Sequence, residues 1–287
     1  MRHLSRAYPR MFFLPAALVY LAIFFVPTVL AFYYAFTRWT LFDSQWIGLE
    51  NFRQFFREEA LVKSLKNTLI YAIFTSAAKV VLGMGLAVLV TGRLRLKSTV
   101  RAMIFFPVIV STVAIGLTFS VLMDPTDGLY NRVLAVVGVN GPHWLTDVNL
   151  AIFSVALVDV WRGVGLAMVI YIAGIMTIPR DLYEAVAVDG GNWWQQFRHI
   201  TLPLSRPATF TVILFSFVGG LRSFELIWTM TGGGPGFASD VIASTIYKQY
   251  QAGFYGLATA GNVILFLLVT ALVIPMTRYF ARHEIRR

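Results

Sequence analysis

The stretch Ile178–Pro207 reads "IPRDLYEAVAVDGGNWWQQFRHITLPLSRP". It is polar, it repeats at helical period, and it lies between two long apolar runs. Pro179 suits the first turn of a helix, with Thr177 as its cap. Asp181 and Glu184 then sit near the positive end of the helix dipole. Leu182 with Val186, and Tyr183 with Ala187, repeat at i, i+4. Asp189-Gly190-Gly191 predicts a tight turn, because glycine reaches positive φ without strain. Asn192 is placed to cap a second helix, whose apolar stripe is Trp193, Trp194, Phe197 and Ile200. Pro203 is expected to end that helix. Pro207 starts the next element, with Ser205 as cap. The stretch is therefore read as helix, turn and helix, joining two apolar segments.

The rest of the chain says what those segments are. Of 287 residues, 57% are hydrophobic and 13% charged, and mean hydropathy is +0.69. A soluble domain carries about 25% charged residues. A bilayer core needs about 20 consecutive helical residues, and six runs meet that length: 11–36, 64–91, 102–123, 149–176, 207–230 and 256–280. The expected fold is all-α, a polytopic membrane protein forming one transmembrane domain over 1–287. The run beginning at Met11 is too long for a signal peptide and lacks a small-residue cleavage site, so it reads as a retained span. The chain has no cysteine, which excludes disulfides and thiol chemistry. Its net charge of +10 is carried by cations flanking apolar runs, which speaks for topology rather than nucleic-acid binding.

Those cations are unevenly shared. Arg2, Arg6, Arg10, Arg93, Arg95, Lys97, Arg101, Arg180, Arg198, Arg206, Arg278, Arg282, Arg286 and Arg287 fall on the side of the termini. Arg38, Arg53, Arg57, Lys63, Lys66, Arg132 and Lys248 fall on the other. The positive-inside rule makes both termini and the Gly190–Gly191 turn cytoplasmic. Trp39, Trp46, Trp144 and Tyr250 lie near outer span ends, as interfacial anchors do. "NFRQFF" (Asn51 to Phe56) reads as an interfacial amphipathic turn.

"EAVAVDGGNWWQQFRHITLPLSRP" (Glu184 to Pro207) closely resembles the EAA loop of ABC-importer permeases. Glu184, Ala185, Asp189, Gly190, Phe197, Ile200, Pro203 and Pro207 fit that pattern. Val186 stands where the pattern has its third triplet residue, and Gly191 where it usually has alanine, a change expected to loosen the turn. "WRGVGLAMVIYIAGIMTIPRDLY" (Trp161 to Tyr183), "TGGGP" (Thr231 to Pro235) and "GLENF" (Gly48 to Phe52) resemble the carbohydrate-type branch. The likeness runs from about Ile47 to the C-terminus, with a family core of about 64–280. It implies an ATP-driven importer in a prokaryotic cytoplasmic membrane. The implied partners are a second permease, usually distinct, two ATPase subunits that carry the ATP and magnesium, and an extracytoplasmic solute-binding protein. It implies ATPase coupling for Glu184, Ala185, Asp189, Gly190, Gly191 and Phe197, with no catalytic residue and no cofactor in this chain.

Other residues carry groups capable of chemistry. Lys79, Asp159, Arg162, Arg222 and Glu225 fall inside spans, where ionisable groups are costly and usually face a bundle interior or a water-filled path. Asp159 with Arg162, and Arg222 with Glu225, stand at i, i+3 and are expected to pair along one helix. Two readings stand: self-satisfied pairs, or a polar solute path with Trp161 and Phe224 beside it. Lys79 is expected to snorkel toward the cytoplasm. "TGGGPGF" (Thr231 to Phe237) lacks the G-K-[ST] of a phosphate loop and reads as a flexible outer loop. His3, His143, His199 and His283 have no ligand spacing, so no metal site is expected. The alternatives to a carbohydrate permease are an integral-membrane enzyme acting on a lipid-linked substrate, or an ion-coupled secondary transporter. The first lacks an assembled nucleophile, base or metal cluster, and the second lacks paired broken spans.

Overall fold

Long apolar runs at helical period leave the backbone no water to bond with, so they close their hydrogen bonds internally as helices. The computed structural model describes residues 10–40, 42–92 and 96–284. Arg2, Arg6, Arg93, Arg95, Arg286 and Arg287 of the charge tally lie outside them, as does His3. In chain order the elements are α1 (Leu14–Tyr34), strands β1 (Thr37–Trp39) and β2 (Ser44–Trp46), α2 (Glu50–Arg57), α3 (Glu59–Thr91), α4 (Lys97–Ile109), α5 (Thr112–Leu122), α6 (Leu129–Val136), α7 (Ala151–Met176) and α8 (Arg180–Val188). There follow α9 (Trp193–Leu204), α10 (Arg206–Leu221), α11 (Glu225–Thr231), α12 (Ile242–Gln251) and α13 (Tyr255–Glu284). Among the described residues four helices are long and apolar enough to cross a membrane, or up to six if two bent pairs each count as one span.

Two of the expected spans are interrupted. The run 102–123 is not one helix: α4 and α5 meet at 95°. Pro107 lies inside α4 and cannot donate to the carbonyl four residues back. Val110 (ψ 144) and Ser111 (ψ 129) then run extended before Thr112 restarts the helix. The run 207–230 also ends early. α10 stops at Leu221, where Gly219-Gly220 weakens the helix and polar Arg222-Ser223 follows. Phe224 (φ −137) then opens the separate α11.

The chain divides into two units. In Met1–Leu61 with Ile246–Leu267, β1 and β2 form a hairpin pairing Thr37 with Trp46 and Trp39 with Ser44. This short hairpin is an addition to the expected all-α fold. Asn51, on a genuine helix α2 rather than a turn, is buried. Its amide donates to the carbonyls of Ala35 (2.9 Å) and Thr37 (2.8 Å). Phe55 packs with Leu61, Leu257 and Ile264. α1 carries no buried residue in its apolar window, as suits a helix whose surroundings are lipid.

The second unit is Val62–Thr245 with Leu268–Arg287. Its centre is α7, which packs on α4, α10 and α11. One apolar cluster joins Tyr71, Ile115, Val155 and Ile227; another joins Met84, Met168, Tyr171 and Val212. Helices in lipid gain by close packing, which small residues permit. Gly165 does so here: a Cβ on it would lie 2.8 Å from the Cα of Phe105 on α4.

The Thr231–Phe237 loop is stitched rather than free. The hydroxyls of Thr231 and Ser239 are 2.8 Å apart, and Ser239 donates to the Gly234 carbonyl at 2.6 Å. The buried Asn67 amide donates to the carbonyls of Ala238 and Asp240, both at 2.9 Å. Earlier in the chain, the Asp124 carboxylate accepts from the Thr126 hydroxyl (2.6 Å) and from the Thr126 and Asp127 amides (2.9 Å each). Those bonds hold its carboxyl below the usual carboxylate range, the Thr126 hydroxyl contributing most.

Candidate functional site

Two places gather the residues singled out from the sequence. The first is the α8–turn–α9 hairpin. α8 begins at Arg180 with Pro179 as its cap residue, two positions later than a Thr177 cap predicts. Thr177 does not cap it; its hydroxyl donates back to the Gly174 carbonyl at 2.7 Å, closing α7. Gly190 has φ +76°, the left-handed conformation that closes helices on glycine. Gly191 N–H donates to the Val186 carbonyl at 2.8 Å. Asn192 then starts α9 with a complete capping box. Its side chain accepts from Gln195 N–H at 2.9 Å, and its own N–H donates to the Gln195 side chain at 2.7 Å.

Two bonds hold the hairpin closed. The Tyr183 hydroxyl is 3.1 Å from that of Thr201, and Gln196 donates to the Tyr183 carbonyl at 3.3 Å. Phe197 turns inward against the cluster of Met168, Tyr171 and Val212, with Trp193 stacked on it at 5.9 Å. Pro203 lies near the end of α9, which stops at Leu204, and Pro207 lies in the first turn of α10. Ser205 does not cap α10; its hydroxyl bonds the Thr201 carbonyl. Glu184, Ala185, Asp189 and Gly190 are exposed. A Cβ on Gly191 would meet the Val186 side chain, and lie 2.8 Å from the Val186 carbonyl oxygen. The turn expected to be loosened by Gly191 is thus filled by Val186.

The second place is a cavity of about 380 Å³, within the range of ligand pockets, about 300–1,000 Å³. Lys79, Asp159, Arg162, Arg222, Phe224 and Glu225 line it. Thr112, Ser216 and Ser223 add hydroxyls to the wall. The helix breaks corrected above build it: Thr112 follows the bend between α4 and α5, and Arg222 to Glu225 span the interruption between α10 and α11.

Its charges pair differently from expectation. Lys79 does not snorkel. Its ammonium donates to Asp159 at 2.7 Å, and the two side chains are 9% and 12% exposed. Gly163 makes this possible, since a Cβ there would lie 2.7 Å from Lys79 Cε and 3.0 Å from Nζ. Arg162 reaches the other Asp159 oxygen only at 3.8 Å, beyond hydrogen-bond length. Its Nε is buried without a partner. Arg222 and Glu225 do not share a helix, and among the described residues no ion pair joins them. Trp161 does not line the cavity. It packs on Phe119 at 5.2 Å and is 47% exposed, because neighbours on a helix point to different faces. Lys79 and the wall hydroxyls were missed as site residues. Lys79 carried a signal, a charge at span depth, but its partner lies 80 residues away.

Residues 79–286 match the family described as binding-protein-dependent transport system inner membrane component. The chain is 31% identical over 283 residues to a probable ABC transporter permease protein of Bacillus subtilis, covering 96% of this chain and 97% of that one. It is 29% identical over 263 residues to a trehalose/maltose transport system permease protein of Thermococcus litoralis, covering 91% and 89%. In fold it resembles a chain of a bacterial alginate ABC transporter solved with an alginate pentasaccharide-bound periplasmic protein. That likeness has a TM-score of 0.85 and 23% identity, and covers 98% and 96% of the two chains.

Proposed function

We infer the role of this chain from its family: it belongs to the inner-membrane components of binding-protein-dependent transport systems, and is a permease subunit of an ABC importer. The solute is a carbohydrate, a mono- or oligosaccharide or related polyol, handed over by an extracytoplasmic binding protein. The trehalose/maltose relative supports that class. The observation that carries the reading is the cavity, where charged, hydroxyl and aromatic side chains converge between helices otherwise packed with apolar residues. Carboxylates and guanidinium groups bond sugar hydroxyls, and Phe224 offers a flat face to a sugar ring.

The chain works in the cytoplasmic membrane of a prokaryote with six spans and both termini inside. A second permease, two ATPase subunits and the binding protein complete the assembly, and ATP with magnesium binds on the ATPases. The α8–turn–α9 hairpin meets an ATPase through Glu184, Ala185, Asp189, Gly190 and Gly191, with Phe197 anchoring it to the bundle. Its capping box and cross-bonds let it move as one body with α7 and α10. ATPase closure then becomes a change in access to the cavity.

Uptake by the complex reconstituted in vesicles with binding protein tests this. Glu184→Lys is expected to abolish solute-stimulated ATP hydrolysis while the complex still assembles. Full transport by that variant would refute the coupling role.

A further inference from the structure

We propose that the cavity takes an anionic group of the solute, a carboxylate, sulfonate or phosphate, held by Arg162 and Arg222, with Lys79 releasing Arg162 for this by neutralising Asp159. The proposal rests on the solute-path reading and names its substrate class.

Three cations and two carboxylates line the space. Lys79 and Asp159 satisfy each other at 2.7 Å. Arg162, with Asp159 engaged elsewhere, has a 3.8 Å approach and an orphaned Nε. Arg222 forms no ion pair among the described residues, although Glu225 is three residues away. Each guanidinium has five donors in a fork that matches a carboxylate or phosphate bidentately. Counting Glu225 against one guanidinium still leaves a positive charge uncompensated. Arg222 is exposed and the Arg162 side chain is 30% exposed, so both are open to an incoming group. A cleft with surplus positive charge favours an anion; a neutral solute leaves that charge uncompensated, whereas an anionic group neutralises it and bonds the spare donors. Gly163 is part of the same device, because its missing Cβ leaves room for the end of the Lys79 side chain beside Asp159.

The test uses the complex purified through this chain and placed in nanodiscs of phosphatidylcholine alone. Trigalacturonate is titrated against maltotriose, and glycerol 3-phosphate against glycerol, by calorimetry. The anion of each pair is expected to bind about tenfold tighter or more, as hydrogen bonds to charged groups imply. Arg162→Gln and Arg222→Gln should each cost the anion about tenfold and cost the neutral probe less, because a glutamine amide still bonds sugar hydroxyls but carries no charge. Asp159→Asn should act with the opposite sign and tighten the anion, because it leaves Lys79 unneutralised. That variant keeps the test decisive if an arginine variant fails to assemble. Equal binding within both probe pairs, or equal losses for anion and neutral probe in the arginine variants, would overturn the proposal. So would abolition of anion binding by phosphatidylglycerol in the disc, which would assign the site to a lipid headgroup. Recovery of ATPase subunits with the complex is scored separately, and its absence would refute the importer reading without altering the titration.

Discussion

Replacing Lys79 by methionine removes a charge but almost no volume, so it isolates what the ion pair contributes. At 2.7 Å and an effective dielectric of about 20, the gross attraction is about 6 kcal/mol. Desolvating two ions cancels several kcal/mol of that, and the net worth of such a pair is small. The single variant is different, because it strands Asp159 uncompensated among helices. Breaking a buried pair from one side costs about 3–5 kcal/mol, and Arg162 at 3.8 Å is positioned to recover only part of it. Lys79→Met is therefore expected to lose about 3 kcal/mol or more. Asp159→Asn should lose less, since Lys79 keeps an amide oxygen to donate to. The double variant should regain most of the loss, with a coupling energy within the range of about 0.5–3 kcal/mol measured for contacting residues. Reversible unfolding in detergent, followed by tryptophan fluorescence, measures all four proteins. If the single losses simply add in the double variant, the reasoning from a buried, mutually satisfied pair is wrong.

Three further outcomes follow from the same geometry. Gly163→Ala puts a Cβ 2.7 Å from Lys79 Cε; it should lower unfolding stability in wild type but cost nearly nothing on a Lys79→Ala background. Asn192→Ala removes the side-chain half of the capping box, leaving the backbone N–H of residue 192 to donate to Gln195, and should cost the hairpin about 0.5–2 kcal/mol, seen as faster amide exchange at Trp193 to Gln195 with α7 unchanged. A single cysteine at Asn192, in a chain that has none, should react with an impermeant maleimide only after the cells are opened; labelling of intact cells would refute the cytoplasmic placement of the turn.

What the sequence revealed depended on distance along the chain. The α8–turn–α9 hairpin was legible because its signals are local: Gly190 supplies the positive φ, Asn192 and Gln195 cap each other across three residues, and prolines mark the ends. Four of the six apolar runs became long helices for the same reason. The bend at Val110–Ser111 was hidden because hydropathy runs unbroken across it, and Pro107 was the only local sign. The hairpin of β1 and β2 was too short to alternate visibly. The charges of the cavity were legible as costly residues at membrane depth, but their partners were not. Arg162 lay one turn from Asp159, so pairing within the helix looked sufficient. The choice of Lys79 instead comes from another helix, with Gly163 leaving room for it, which no spacing rule encodes. Trp161 was included for its adjacency in sequence, and adjacency on a helix separates side chains rather than joining them.

Val186 and Gly191 impose an order on how this turn could change. The EAA pattern that it resembles has alanine at both positions. Here the isopropyl group of Val186 occupies the space that a methyl on Gly191 would enter. A lineage moving from this turn toward the two-alanine form would meet a clash if Gly191 changed first. If Val186 shortened first, the side-chain clash would go at a cost of about 0.5–2 kcal/mol for the lost methyls, and only the 2.8 Å approach to the carbonyl oxygen of residue 186 would remain for the turn to relieve. The second step would then refill the space those methyls left. The reverse journey runs the same way, with glycine before valine. The two positions drift as a coupled pair, and each tolerates change only in the order its neighbour permits.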